Sequence, residues 1–111
     1  MAGDSRDTII VLTNLPDRAS AIRLASLLVE RRQAACVNIL AECTSVYRWK
    51  GRVETATEVP ILIKTSLTAY SRLEAEILAN HPYELPEIVG VSLATGLPAY
   101  MDWVTTESSV E

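Results

Sequence analysis

Several residue types on which functional sites commonly depend are scarce or missing in this chain of 111 residues. Phenylalanine is absent, there is one histidine, His81, and there are two cysteines, Cys36 and Cys43. A closed zinc site takes four Cys or His ligands, which one chain cannot supply from this set. The four glycines are scattered, which excludes a glycine-rich phosphate loop. Aliphatic side chains must therefore fill the core, and a metal site needs carboxylates or a second subunit.

The charge of the chain also excludes several classes of partner. Ten Lys and Arg against fourteen Asp and Glu give a net charge of −4, with no basic patch. Binding to nucleic acid or to an anionic membrane surface needs such a patch, so neither partner is expected. No apolar run approaches the ~20 residues of a membrane span, and the polar start is unlike a signal peptide. We expect a frayed tail over residues 1–7 and a cytoplasmic location.

The sequence contains none of the common catalytic motifs. Walker A, GxGxxG, GxSxG, HExxH and CxxC are all absent. A nucleophilic cysteine needs a base nearby, and Cys36 lies in an apolar string where a thiol is more often a small core residue. Cys36 and Cys43 would be about 23 Å apart on one regular strand, so both are predicted to be reduced thiols. The chain is therefore predicted not to be an enzyme.

Hydrophobic periodicity predicts a strand and then an amphipathic helix at the start of the chain. Thr8 to Leu12 is a short β-branched run typical of a buried strand. Asp17 is a suitable helix N-cap. The apolar positions that follow at helical spacing are Ala21, Leu24, Ala25 and Leu28. Arg31 and Arg32 are expected in the last turn, where cations favour the negative end of the helix dipole.

The middle of the chain predicts a long β-hairpin. One strand is expected from Cys36 to Tyr47 and a second from Val53 to Thr65. The turn between them contains Gly51, which can adopt a positive φ. Pro60 lies within the second strand and cannot donate a ladder hydrogen bond, so it predicts a bulge or an edge at that point.

The last third of the chain predicts a helix, a strand and a short terminal helix. The helix positions expected to face the core are Tyr70, Leu73, Ile77 and Leu78. His81 precedes Pro82, so this helix is expected to end near Asn80. A strand from Ile88 to Ala94 and a short helix from Tyr100 to Val104 follow.

The resulting order, β-α-β-β-α-β followed by a short helix, predicts an α+β fold of the ferredoxin-like type. A four-stranded sheet with both helices on one face satisfies this order with right-handed crossovers. The length suits a single domain, which we place at residues 8–107, with a C-terminal tail over 108–111.

The hairpin is too long for the globule to which it belongs. Each arm of roughly 13 residues would span about 43 Å, whereas a globule of this length is only about 35 Å across. Its far end carries Val46, Tyr47, Trp49 and Val53, an apolar group that a partner subunit would cover. We therefore predict a homo-oligomer. The alternative is a hairpin that bends at bulges and folds back on its own sheet.

One segment offers metal ligands at close spacing. His81, Glu84 and Glu87 place an imidazole and two carboxylates within one turn of chain. Imidazole and thiolate suit copper, and the symmetry of an oligomer can multiply ligands at a subunit interface. The alternative is a solvated turn in which the histidine merely ends a helix, and spacing alone favours that alternative.

Five aromatic residues admit two interpretations. They are Tyr47, Trp49, Tyr83, Tyr100 and Trp103. Together with the charged Lys50, Glu58 and Lys64 they could line a small-ligand cleft. Such residues are more often interface anchors, because Trp and Tyr combine a large apolar area with a polar group, and we favour a subunit interface.

From Thr8 to Trp103 the chain resembles a known protein family. The resemblance depends on the order and spacing of several short strings. These are Ala34 to Ile39, Tyr47 to Gly51 followed by Glu54 and Glu58, Ile63 to Thr65, His81 to Ile88, and finally Tyr100 and Trp103. They resemble the CutA family of divalent-cation tolerance proteins. The resemblance implies a ferredoxin-like trimer whose long hairpins reach neighbouring subunits, a link to tolerance of copper and other divalent cations, and no established catalytic reaction.

The resemblance also suggests site residues. Cys36 and His81 match positions that are metal-related in the family, and Glu84 is an acidic neighbour. Some copper-associated members have a cysteine at the end of the first strand, where this chain has Thr13, and the substitution removes one soft ligand. We predict no obligatory cofactor and a bound divalent cation, copper foremost. Two alternatives remain: a signalling module that binds small ligands, as the PII proteins do, and a stable trimeric scaffold for a protein partner.

Overall fold

The computed structural model describes residues 7–110, and one long strand organises them. The elements in chain order are β1 (Thr8–Leu15), α1 (Arg18–Glu30), β2 (Cys36–Ile39), β3 (Cys43–Trp49), β4 (Arg52–Ser66), α2 (Tyr70–Asn80), β5 (Val89–Ser92) and α3 (Pro98–Glu107). The predicted N-terminal tail lies outside the described residues except for Asp7. No helix within residues 7–110 is both long enough and apolar enough to cross a bilayer.

The sheet has the topology that the element order predicts. Its strands lie in the order β2-β4-β1-β5, and every neighbouring pair is antiparallel. Helix α1 connects β1 to β2 across the sheet and α2 connects β4 to β5, as in a split β-α-β unit. The predicted α+β fold of the ferredoxin-like type is confirmed, with β3 as an extension that pairs with the first half of β4.

The strand predicted from Cys36 to Tyr47 is in fact two strands separated by a bulge. Ile39 pairs with Ile61 and Cys43 pairs with Glu58, so three residues of one strand oppose two of the other. The Leu40 N–H donates to the carbonyl of Pro60 at 3.0 Å. The bulge predicted from Pro60 is confirmed, and an extra residue of this kind locally bends and twists the strand that carries it.

The bulge also changes which residues share a face. Strand partners directly opposite each other point to the same side of a sheet. Even-numbered residues of β2 pair with even-numbered residues of β4, as Cys36 does with Lys64. Beyond the bulge, odd-numbered residues of β3 pair with even-numbered residues of β4, as Tyr47 does with Glu54. The extra residue therefore turns Tyr47 and Trp49 to the side of Glu58 and Lys64.

Helices α1 and α2 cover one face of the sheet. The predicted stripe of α1 is confirmed, and its buried residues are Ala21, Leu24, Ala25 and Leu28. Odd-numbered residues of β1 and β4 meet this stripe, among them Val11, Ile61 and Ile63. Asp17 is the predicted N-cap and accepts a hydrogen bond from the Ser20 N–H at 2.8 Å. Strand β1 runs three residues beyond its predicted end because its last residues still pair with β4, Leu15 with Val59.

The prediction that Arg31 and Arg32 lie in the last turn of α1 is wrong. The helix ends at Glu30, and Arg32 adopts a left-handed conformation with φ 58°. Arg31 forms an ion pair with Glu76 of α2 at 2.8 Å. Arg32 donates from Nε to the Ser109 carbonyl at 2.6 Å. Both side chains therefore make long-range contacts in place of a helix-dipole contact within α1.

Helix α2 differs from its prediction at one position. Leu73 and Ile77 are fully buried, but Leu78 is 55% exposed and does not face the core. Leu73 and Ile77 are four residues apart and lie on one stripe, whereas Leu78 is rotated by about 100° from Ile77. The helix ends at Asn80 as predicted, because His81 precedes a proline and is extended.

The C-terminal elements have different lengths from those predicted. Strand β5 is confined to Val89–Ser92, and α3 extends over Pro98–Glu107. Pro98 at the first helical position favours this early start. Ser108, which the sequence analysis assigned to a C-terminal tail, is buried, and its hydroxyl lies 3.2 Å from the Ser66 hydroxyl.

The second face of the sheet, opposite α1 and α2, is apolar and partly exposed. Its cross-strand rows contain Ile10, Leu12, Leu62, Val89 and Val91, with Cys36 and Lys64 at one side. Val89 and Val91 are exposed, and the other three aliphatic residues are partly exposed. The chain measures 48 × 26 × 23 Å, so it is elongated, as the overhang argument predicts.

Two adjacent residues of α2 provide a test of this fold. Ile77→Ala creates a cavity in the core and is expected to lower the free energy of unfolding by about 2–5 kcal/mol. Leu78→Ala, the matched control, removes an exposed side chain and is expected to change it by less than about 0.5 kcal/mol. Urea unfolding at one protein concentration measures both. Equal losses would contradict the helix orientation.

Candidate functional site

The segment from His81 to Glu87 is anchored to the end of β1 through Asn14. The His81 Nε2 lies 2.7 Å from the Asn14 carbonyl oxygen. The side-chain amide of Asn14 donates to Oε1 of Glu87 at 2.9 Å. Asn14 itself pairs with Pro60 of β4, beside the bulge. One strand residue therefore holds both ends of the loop with its backbone and its side chain.

Both ring nitrogens of His81 are engaged by backbone groups. A carbonyl oxygen only accepts, so Nε2 carries the proton and donates to Asn14. Nδ1 accepts from the Tyr83 N–H at 3.2 Å. Burial lowers the pKa of His81, and this effect outweighs the opposing contributions of the Asn14 hydrogen bond and the charge of Glu58. The imidazole is therefore neutral at pH 7, in one tautomer, with no unoccupied lone pair.

Tyr83 joins the loop to β4. Its ring lies 4.7 Å from the His81 ring, centroid to centroid. Its phenol donates to the carboxylate of Glu58, and burial together with this carboxylate raises the pKa of Tyr83 well above its usual range. Glu58 is only 9% exposed, and this hydrogen bond gives its buried carboxylate a partner. The phenol remains protonated throughout the neutral pH range.

Lys50 joins the loop to the tip of the hairpin. Lys50 and Gly51 both have positive φ, 50° and 81°, as a tight two-residue hairpin turn requires. The Lys50 ammonium lies 3.7 Å from the Glu84 carboxylate and 5.5 Å from the centroid of the Trp49 ring. Lys50 and Glu84 are both largely exposed, so the ion pair contributes little to stability.

These contacts enclose a cleft of about 700 Å³ between the hairpin and the loop. Its lining residues are Asn14, Ser45, Val46, Tyr47, Trp49, Ala56, Glu58, Tyr83, Glu84, Leu85 and Glu87. Strand pairing explains why most of them converge, since Ser45 is opposite Ala56 and the odd-numbered residues of β3 share their face with Glu58. The cleft thus combines three aromatic rings with three carboxylates.

The structure brings together some of the residues predicted for a cleft or interface and separates others. Tyr47, Trp49, Glu58, Tyr83 and Glu84 line the cleft, and Lys50 lies at its mouth. The remaining three residues are elsewhere. Lys64 is six residues from Glu58 along β4, about 20 Å, and Tyr100 and Trp103 stack on α3 with centroids 5.5 Å apart.

The predicted metal ligands do not converge within one chain. Cys36 is opposite Lys64, whereas Asn14, which holds His81, is opposite Pro60, four residues or about 13 Å away along β4. Within residues 7–110 no group of three His, Cys, Asp or Glu side chains is arranged to hold a metal ion. Thr13 is fully buried on the helix-covered face, so a cysteine there would point away from Cys36.

Asn14, which anchors the site, was not among the predicted site residues. The first strand was predicted to end at Leu12, although β1 continues through Leu15. The available signal was an amide within an otherwise apolar strand. Ser45 and Ala56 were also missed, because their place in the cleft depends on the bulge, whose length the sequence does not show.

Comparisons with known proteins agree with this fold. Residues 9–107 match the family model described as CutA1 divalent ion tolerance protein. The chain is 43% identical over 95 residues to the divalent-cation tolerance protein CutA of Thermus thermophilus, covering 86% of this chain and 92% of that protein. It is 42% identical over 89 residues to the CutA homolog of Xenopus laevis, covering 80% of this chain but 59% of that longer protein. The solved Thermus thermophilus divalent cation tolerance protein superposes with a TM-score of 0.90 at 40% identity, covering 92% and 99% of the two chains.

The environment of His81 predicts a pH dependence. In the unfolded chain His81 binds a proton near its ordinary pKa of 6.5, whereas in the folded chain it does so only at lower pH. Protons therefore favour the unfolded chain, and stability is lost as the pH falls from 6.5 through the folded pKa. His81→Gln, which retains an amide donor toward Asn14, is expected to remove this part of the pH dependence.

NMR titration of the single imidazole and urea unfolding between about pH 7 and pH 5 measure the two quantities. A folded pKa at or above 6.5, or parallel pH profiles for the wild type and the variant, would contradict the arrangement.

Proposed function

The chain belongs to the CutA1 divalent ion tolerance family, and on that premise we propose that it acts in divalent-cation tolerance as a homotrimer that binds divalent cations, copper foremost. The proposal includes no catalytic reaction and no obligatory cofactor. A cytoplasmic location remains a prediction. Family membership supports the role in tolerance, and the shape of the chain supports assembly.

The exposed apolar surface is the observation that supports the proposed oligomer. The second face of the sheet presents Val89 and Val91 to solvent beside the partly exposed Ile10 and Leu12. The hairpin extends beyond the core with Val53 exposed as well. A chain of this size that leaves such a contiguous surface uncovered is typical of one subunit of an oligomer. The number three follows from the family resemblance.

Assembly would also supply what one chain lacks for a metal site. Cys36 is a free thiol on the second face, at the outermost strand of the sheet, where a neighbouring subunit can approach. A thiolate is a soft ligand that suits copper. Symmetry brings copies of Cys36, Glu84 and the His81 loop to the subunit boundaries. Ligation by His81 requires that one ring nitrogen exchange its backbone partner for the ion.

A charge on the second face tests the assembly. Val91→Glu is expected to dissociate the oligomer, because a carboxylate would be buried without a partner at the interface. Leu78→Glu, an equally drastic change on the helix side, is expected to leave the mass unchanged. Light scattering should give three times the mass of one chain for the wild type and for Leu78→Glu. A monomeric wild type at micromolar concentration would refute the proposal.

Copper binding should depend on both the thiol and the assembly. Titration of the reduced protein with Cu(II) against a competing chelator is expected to show saturable binding that Cys36→Ser weakens by at least about tenfold. The dissociated Val91→Glu protein is expected to lose the site, since residues 7–110 of one chain hold no three-ligand group. Cys43→Ser is the matched control and should bind as the wild type does. Binding that survives dissociation, or that ignores Cys36, would exclude this site.

A further inference from the structure

The cleft between the hairpin and the loop carries a negative charge that its own residues do not neutralise. Glu58, Glu84 and Glu87 face it, and its described lining contains no lysine or arginine. The Lys50 ammonium at the mouth offsets one charge. The cleft therefore favours cations and disfavours nucleotides and other anions.

The walls of the cleft favour an organic cation over a bare metal ion. Tyr47, Trp49 and Tyr83 supply aromatic faces, which attract ammonium groups and also pack against methylene chains. A metal ion instead requires several convergent ligands, and residues 7–110 contain no such group of three. Aromatic rings are poor replacements for the water ligands that a metal ion would lose on entering the cleft.

The chain itself places an ammonium group in this environment. The Lys50 Nζ lies 5.5 Å from the centroid of the Trp49 ring and 3.7 Å from the Glu84 carboxylate. The Lys50 side chain is 68% exposed and therefore easily displaced. It occupies the outer end of the cleft in the way that a bound primary ammonium group would.

The carboxylates lie at the two ends of the cleft and the aromatic rings lie between them. Glu84 is at the hairpin tip with Lys50, whereas Glu87 is at the inner end with Asn14. Glu58 is also at the inner end, opposite Cys43 and next to the bulge. Only two residues separate Glu84 from Glu87 along the chain, so their Cα atoms are at most about 11 Å apart. This spacing suits two ammonium groups on one aliphatic chain.

From this arrangement we propose that the cleft binds a linear aliphatic diamine or polyamine, one ammonium group replacing Lys50 between Trp49 and Glu84, the other meeting Glu58 and Glu87. The methylene chain lies along Tyr47 and Tyr83. This site shares Glu84 with the metal site proposed above but does not depend on Cys36.

Calorimetric titration of the full-length, assembled protein in the presence of a chelator tests the proposal, with putrescine and spermidine as probes. We expect saturable binding at one ligand per chain that weakens as salt is added. Butylamine, with one ammonium group, and Mg²⁺, a dication without a carbon chain, should each bind at least about tenfold more weakly. Glu58→Gln and Glu84→Gln should each lower the spermidine affinity by about tenfold.

A gain of affinity provides the sharpest test. Lys50→Gln removes the internal ammonium group and is expected to raise the spermidine affinity several-fold. Arg48→Gln is the matched control, because it removes the same charge from the opposite face of the hairpin, where Arg48 pairs with Val53. Cys36→Ser should leave spermidine binding unchanged, which separates this site from the metal site.

Three results would overturn the proposal. The first is no saturable diamine binding to either the wild type or Lys50→Gln. The second is a spermidine affinity that ignores both Glu58→Gln and Glu84→Gln. The third is equal gains from Lys50→Gln and Arg48→Gln, which would reveal an effect of net charge alone.

Discussion

The pairing of β4 is the constraint on which the rest of the structure depends. This single strand of fifteen residues bonds to β1 and β2 over its second half and to β3 over its first half. Only the second half lies under the helices, where Val59, Ile61 and Ile63 are buried. The first half has no core of its own, so it projects as a hairpin. The cleft, the exposed apolar surface and the elongated shape all follow from that division.

A second constraint, the anchoring of the His81–Glu87 loop, converts the projecting hairpin into a site. Asn14 fixes the ends of the loop, Glu58 holds Tyr83 and Lys50 meets Glu84. Each of these contacts pairs polar groups that would otherwise bind water. Together they fix the positions of the side chains that line the cleft. Both ring nitrogens of His81, the only histidine of the chain, take part in this anchoring. A residue that looks like a metal ligand in the sequence therefore has no lone pair to offer.

The fold was predictable from the sequence because its signals are local. The α1 stripe, the Asp17 cap and the helix end before Pro82 each depend on a few neighbouring residues. The errors arise where contacts between residues that are distant in sequence determine the local structure. Arg31 leaves the helix to meet Glu76, which is distant in sequence. The site depends on the pairing of Asn14 with Pro60 and on the bulge between β2 and β3, and both are set by pairing between separate strands. The aromatic residues were recognised, but their grouping was not, because which face they share depends on strand register.

The number of residues in the bulge between Ile39 and Cys43 affects which side chains of β3 face the cleft. Side chains alternate along a strand, so one residue fewer in this segment would shift either β2 or β3 by one face against β4. If β3 were the strand to shift, Arg48 would stand where Tyr47 now lines the cleft, although no residue of the cleft itself had changed. Substitutions within residues 40–42 are therefore of small consequence to the cleft, while a change in their number would erase it.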